Sequence, residues 1–246
     1  MTDLDPKALV AEFLGTALLL SAVVGSGVVT SSDGAASTQM FQHAMVVGLA
    51  LVVLILVFGP VSGAHFNPVV TVADWWFGGM PSARAVRYVM AQVAGAVTGV
   101  VATNAMFGAT VVTLSANPRD GLGLVAAEVV ATAGLILVIF ALVRSDRTSA
   151  IPGAVGAWVG AAIFFTASAC FANPAVTLSR ALTDTWTGIA PGSVPGFLLG
   201  QAVGVAIAIP LVRWFYAPTP SEAHDVMVPH DQHDRPASPV HTAGEA

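Results

Sequence analysis

Two Asn-Pro pairs interrupt an otherwise apolar chain: Asn67-Pro68 in SGAHFNPVVTV (62–72) and Asn173-Pro174 in ACFANPAVTLSRA (169–181). Asn is a favoured helix N-cap and Pro a favoured first helical residue, so each pair reads as a helix start. An Asn carboxamide can do two things there: its oxygen accepts backbone N–H groups, and its NH2 remains a donor for a passing molecule. That is recognition chemistry, not bond-making. Glu12 and Glu128 are the carboxylates deep in apolar runs, where an ionisable group either moves protons or accepts from the loop backbone. His43 and His65 are isolated, and no Ser/His/Asp set or metal-ligand spacing converges on the apolar segments. An intramembrane enzyme is therefore a weak reading, and neither a cofactor nor a metal is expected. The single cysteine, Cys170, cannot form an intramolecular disulfide and reads as a small buried residue.

The elements that must position these groups are membrane spans. Fifty-five per cent of the 246 residues are hydrophobic and 9% charged, with a mean hydropathy of +0.78, which places the chain in the membrane class. The net charge of -5 is concentrated in the tail: Glu222, Asp225, Asp231, Asp234 and Glu245 against Arg235 make -4 of it. No basic nucleic-acid face exists, and the partners implied are the lipid bilayer and a small solute. Six stretches are long enough to cross a bilayer: 7–29, 42–61, 83–107, 122–143, 151–167 and 195–215. Two more, Asn67 to Phe77 and Asn173 to about Asp184, would rise only roughly 15 to 18 Å. Half-helices are tolerated in a bilayer when their ends are buried in protein or line a wet cavity, so these two are expected to meet near the midplane.

Lys7, Arg84, Arg87, Arg144, Arg147 and Arg213 fall on one side of a six-span arrangement, which predicts that side, with both termini, to be cytoplasmic. The N-terminus lacks a cationic n-region with a cleavage site, so the first segment reads as retained. The halves repeat: Glu12 with Glu128, Asn67 with Asn173 and Gln92 with Gln201 are separated by 116, 106 and 109 residues. Three spans per copy is odd, so the second copy enters the membrane upside down. The expected organisation is an inverted repeat, 1–111 and 112–216, followed by a Pro/His/Asp-rich tail, 217–246, expected to be disordered. Four tail histidines fit no defined metal site. Gly95/Gly99, Gly156/Gly160 and Gly200/Gly204 supply faces for close helix contact.

The paired Asn-Pro starts, the two inverted copies and the Glu in the first helix of each copy resemble the aquaporin (major intrinsic protein) family over about residues 7–216. FFTASACFANPAVTLSRALTDTWTGIAP looks like the bacterial branch found with arsenic-resistance systems. The resemblance implies an all-α integral membrane fold of six transmembrane helices plus two half-helices. It also implies a homotetramer with a pore in each protomer, in a bacterial inner membrane. The pore motifs become Asn67, Pro68, Val69 and Asn173, Pro174, Ala175. The first box departs from Asn-Pro-Ala at Val69.

Counted from the two Asn residues, the selectivity filter becomes Val47, Ala161, Cys170 and Val176. Water-selective members carry a bulky aromatic, a His and an Arg in this ring; small apolar residues and a thiol imply a wider, less polar one. Arg180, one turn beyond Val176, either restores some charge or pairs with Asp184 at i, i+4. Carbonyls of Gly63, Ala64, His65, Phe66, Ser168, Ala169, Cys170 and Phe171 are expected to form a polar ladder, with His65 at the cytoplasmic vestibule or packed. Glu12 and Glu128 are expected to hold the loops. The reading is a passive channel for small neutral solutes, passing metalloid hydroxides (arsenous or antimonous acid), organic arsenicals and polyols, with no enzymatic activity. Alternatives are a water or glycerol facilitator and a proton-coupled secondary transporter using Glu12 and Glu128.

Overall fold

A computed structural model describes residues 5–31 and 34–216; the 217–246 segment read as a tail lies outside the described residues. Among the described residues the secondary structure is all-helical. It runs α1 (Pro6–Thr30), α2 (Ala36–Ser62), α3 (Pro68–Phe77), α4 (Ser82–Met106), α5 (Leu122–Arg144), α6 (Ile151–Phe165), α7 (Pro174–Ser179) and α8 (Val194–Phe215). Six of these helices are long and apolar enough to cross a membrane, while α3 and α7 are short. Large side chains such as Leu18, Leu49, Leu56 and Met90 are exposed on the outside, as lipid contact requires. An even number of spans puts both ends of the bundle on one side, called here the termini face; the opposite side is the distal face.

Packing follows the duplication. α1 lies along α4 as α5 lies along α8, and α2 pairs with α6 across the centre. α3 touches α4 and α8, α7 touches α8 and α4, and the half-helices touch each other. The close seams need residues without a side chain. A Cβ on Gly200 would sit 2.6 Å from the Val125 carbonyl, and one on Gly48 would sit 2.8 Å from the Gly156 carbonyl, distances no real carbon adopts.

The second half-helix is shorter than the sequence suggests. α7 ends at Ser179 and tightens into a 3₁₀ turn at Arg180–Leu182 instead of running on to Asp184. The Ala181 and Leu182 carbonyls accept from the Ser115 and Thr113 N–H groups, so the preceding linker claims the acceptors that a continuing helix would need.

Candidate functional site

Glu12 in α1 and Glu128 in α5 are fully buried, and each accepts four hydrogen bonds. Glu12 Oε1 takes the Ser62 hydroxyl at 2.7 Å and the His65 N–H at 2.9 Å; Oε2 takes the Phe66 N–H at 2.8 Å and the Gln92 amide at 2.7 Å. Glu128 Oε1 takes the Ser168 hydroxyl at 2.7 Å and the Phe171 N–H at 2.9 Å; Oε2 takes the Ala172 N–H at 2.8 Å and the Gln201 amide at 2.7 Å. Gln92 and Gln201 also donate to Thr71 and Thr177, whose hydroxyls donate to the Asn67 and Asn173 carbonyls. Each carboxylate therefore ties the loop before a half-helix to the first turn of that helix. Loop N–H groups turn inward to reach the carboxylate because Ala64, Phe66, Ala169, Cys170 and Ala172 adopt positive φ, between 45° and 58°. The polar atoms of such a loop would be costly in lipid unless each found a partner.

The half-helix starts meet inside this frame. Asn67 Oδ1 accepts from the Val69 N–H, and Asn173 Oδ1 accepts from Ala175 and Val176, so both carboxamide oxygens cap. Each NH2 gives one proton across the repeat boundary: Asn67 to the Ala172 carbonyl and Asn173 to the Phe66 carbonyl, both at 2.8 Å. One N–H on each remains, and both side chains line the central cavity.

Gly63, Ala64, His65, Phe66, Ala169, Cys170, Phe171 and Ala172 line that cavity, as do Val47, Val176 and Arg180. Ser168 does not: its hydroxyl serves Glu128 and its neighbour Cys170. Pro68, Val69, Pro174 and Ala175 build the first helical turns behind the lumen. His65 lies in the wall with Nδ1 3.0 Å from the Thr71 hydroxyl and Nε2 3.9 Å from an Asp74 oxygen.

Ala161 is a correction. It is exposed, and it lines an outward groove between α2 and α6 with Phe41 and Gly48. The residues α6 turns to the cavity are Ile151, Val155, Val159 and Ile163. Counting back from Asn173 crosses the non-helical segment 166–173, where residues do not advance by 100° each, so the count lands on the wrong face. Arg180 also resolves one way. Asp184 Oδ1 accepts the Ala116 N–H instead of meeting it, and among the described residues Arg180 has no carboxylate within 4.0 Å. It is 3% exposed, its Nε donates to the Thr187 carbonyl, and its guanidinium lies 3.5 Å above the Phe171 ring.

Sequence reasoning missed Ser62, Thr71, Thr177, Val159 and Ile163, and treated His43 as isolated. The duplication was the available signal for the polar set: Ser62 and Ser168, like Thr71 and Thr177, stand 106 residues apart, as Asn67 and Asn173 do. His43 lines the cavity one turn from Val47 on the same helix, which the α2 periodicity permits.

Six spans and two Asn-capped half-helices, clamped by duplicate carboxylates around one central cavity, define a membrane pore protein of inverted-repeat design. A profile of the family described as "Major intrinsic protein" matches residues 3–172. The chain belongs to that family. It is 42% identical over 213 residues to "Aquaglyceroporin AqpS" of Rhizobium meliloti (strain 1021), covering 85% of this chain and 90% of the relative. To human "Aquaporin-5" it is 32% identical over 231 residues, covering 85% and 80%. Its fold superposes on the X-ray structure of the aquaglyceroporin from Plasmodium falciparum with a TM-score of 0.67 at 21% identity, covering 85% of this chain and 95% of that one.

Proposed function

We propose that this chain is a passive, aquaglyceroporin-like channel for small neutral solutes, passing polyols and metalloid hydroxides such as arsenous or antimonous acid, and organic arsenicals. The observation that carries the reading is the cavity wall: the β-branched apolar side chains of Val47, Val159, Ile163 and Val176 line it together with the polar backbone of the loops 63–66 and 169–172. A solute crossing that level keeps hydrogen bonds on one flank and sheds water on the other, which favours uncharged molecules with an apolar side. The positive ends of the half-helices and the Asn N–H donors at the midplane repel cations and accept neutral oxygen-bearing solutes. The name of the bacterial relative supports the same reading.

In this account Glu12 and Glu128 are loop anchors and not coupling groups, because all four lone-pair directions they use are filled by donors. The repeat units are 1–111 and 112–216, the termini face is cytoplasmic, the membrane is a bacterial inner membrane, and the assembly is a homotetramer. The test is stopped-flow light scattering on reconstituted vesicles with water, glycerol and arsenous acid. Glycerol and arsenous acid are expected to enter well above the rate in empty vesicles. Water flux alone, with neither solute above background, would overturn the wide-pore reading.

A further inference from the structure

Two polar side chains that line the same cavity stand one helical turn outside the apolar wall. α2 runs inward from the distal face, so His43 lies four residues, roughly 6 Å, distal of Val47. The chain after Asn173 runs outward, so Arg180 lies four residues distal of Val176. Both line the cavity. Each therefore stands four residues distal of a member of the apolar wall.

The local hydrogen bonds limit what each presents. Ser26 Oγ lies 2.6 Å from the Ala22 carbonyl and 2.7 Å from His43 Nδ1; we place its one proton on the shorter contact, to Ala22, so that its oxygen accepts from Nδ1–H. In the neutral ring this leaves Nε2 as an acceptor, and Trp186 holds the ring edge-on with centroids 5.4 Å apart. Arg180 uses Nε on the Thr187 carbonyl and rests on Phe171; its Nη groups have no partner among the described residues. Arg119 lies 5.4 Å from the centroid of the same Phe171 ring and donates to the Gly188 and Trp186 carbonyls, bracing the loop that carries Thr187. Glu128, the carboxylate of the distal-side clamp, is saturated by its four donors. A buried guanidinium whose Nη donors are unpartnered and which has no carboxylate within ion-pair distance among the described residues thus shares a cavity with a buried imidazole.

We propose that Arg180 and His43 form the solute-reading subsite of this pore, displaced one turn outward from the apolar ring. It takes neutral solutes that carry a hydroxyl proton beside an acceptor oxygen. Arg180 donates to the oxygen and His43 Nε2 accepts the O–H, so the solute exchanges two water contacts for two protein contacts before it enters the apolar stretch. Ammonium ions are repelled by the guanidinium charge. The proposal rests on the channel reading above and names the residues that select within it.

The test is a double-substitution cycle in proteoliposomes, read as the ratio of glycerol to water permeability for the unsubstituted chain, Arg180→Leu, His43→Leu and the pair together. Each single substitution is expected to lower the ratio about tenfold, the effect of one charged or well-aligned hydrogen bond lost in the barrier. The pair together is expected to fall little further, because the two groups read one solute at once. His43→Gln, which keeps an acceptor oxygen, is expected to hold the ratio within about threefold of the starting value and separates reading from mere packing. An unchanged ratio in either single Leu variant, or effects that simply multiply, would overturn the subsite. Failure of the unsubstituted chain to conduct glycerol would overturn the channel reading instead.

Discussion

Replacing Glu128 by Gln changes four hydrogen bonds without changing side-chain volume. A carboxylate accepts on both oxygens; a carboxamide accepts on one and presents an NH2 at the other. If the amide oxygen keeps Ser168 and Phe171, the NH2 confronts the Ala172 N–H and the Gln201 amide, and in the flipped orientation the losses exchange. Two charge-assisted bonds disappear either way, at about 1.5 kcal/mol or more each, so the loop that precedes α7 loses about 3 kcal/mol of local stability. Cys170 is the only thiol in the chain, lies inside that loop and is 6% exposed, so its labelling by a maleimide too bulky to thread the pore reports loop opening. A loss of about 3 kcal/mol raises the open population, and hence the labelling rate, about a hundredfold. Ser168→Ala, which removes one donor to Glu128, should give a smaller rise of about tenfold. If Glu128→Gln labels within twofold of the unsubstituted protein while solute uptake loses a dependence on the proton gradient, the carboxylate is a coupling group and the anchor argument is wrong.

Other substitutions probe other parts of the frame. Ala161→Trp should leave glycerol permeability within about twofold, since its side chain points into the outward groove, whereas Ile163→Trp should reduce it at least tenfold; stopped-flow swelling compares them. Val176→Arg should narrow and charge the apolar level, so glycerol flux drops while water flux persists, measured on the same vesicles. Asn173→Ala removes the cap on Ala175 and Val176 and the tie to the Phe66 carbonyl, and should cost about 2–3 kcal/mol, read as a lowered unfolding temperature in detergent. Gly200→Val places a carbon 2.6 Å from the Val125 carbonyl and should force α5 and α8 apart, giving a large fall in folded yield by size-exclusion chromatography.

Span positions were legible because lipid imposes one requirement on every turn of helix, and Leu122, Ile151 and Phe215 bound helices much as hydropathy places them. The half-helix starts were legible because Asn and Pro act on the next three residues. What failed was geometry carried across non-helical chain. The count from Asn173 to Ala161 passes through a loop with three positive-φ residues, and the stop of α7 is set by N–H groups of Thr113 and Ser115, far away in sequence. The clamp donors Gln92 and Gln201 stood out as repeats but not as donors, since what a buried amide bonds to depends on packing between α1 and α4 or α5 and α8. His43 and Arg180 were each visible alone; only the opposed directions of α2 and the chain after Asn173 bring them to one level.

Whether neutral solutes cross passively is decided by glycerol uptake measured over a wide range of concentration gradients, with and without a protonophore. A passive pore gives a rate that rises in proportion to the gradient without saturating and is unchanged by the protonophore. Saturation at low concentration together with collapse of uptake when the proton gradient is removed would contradict it.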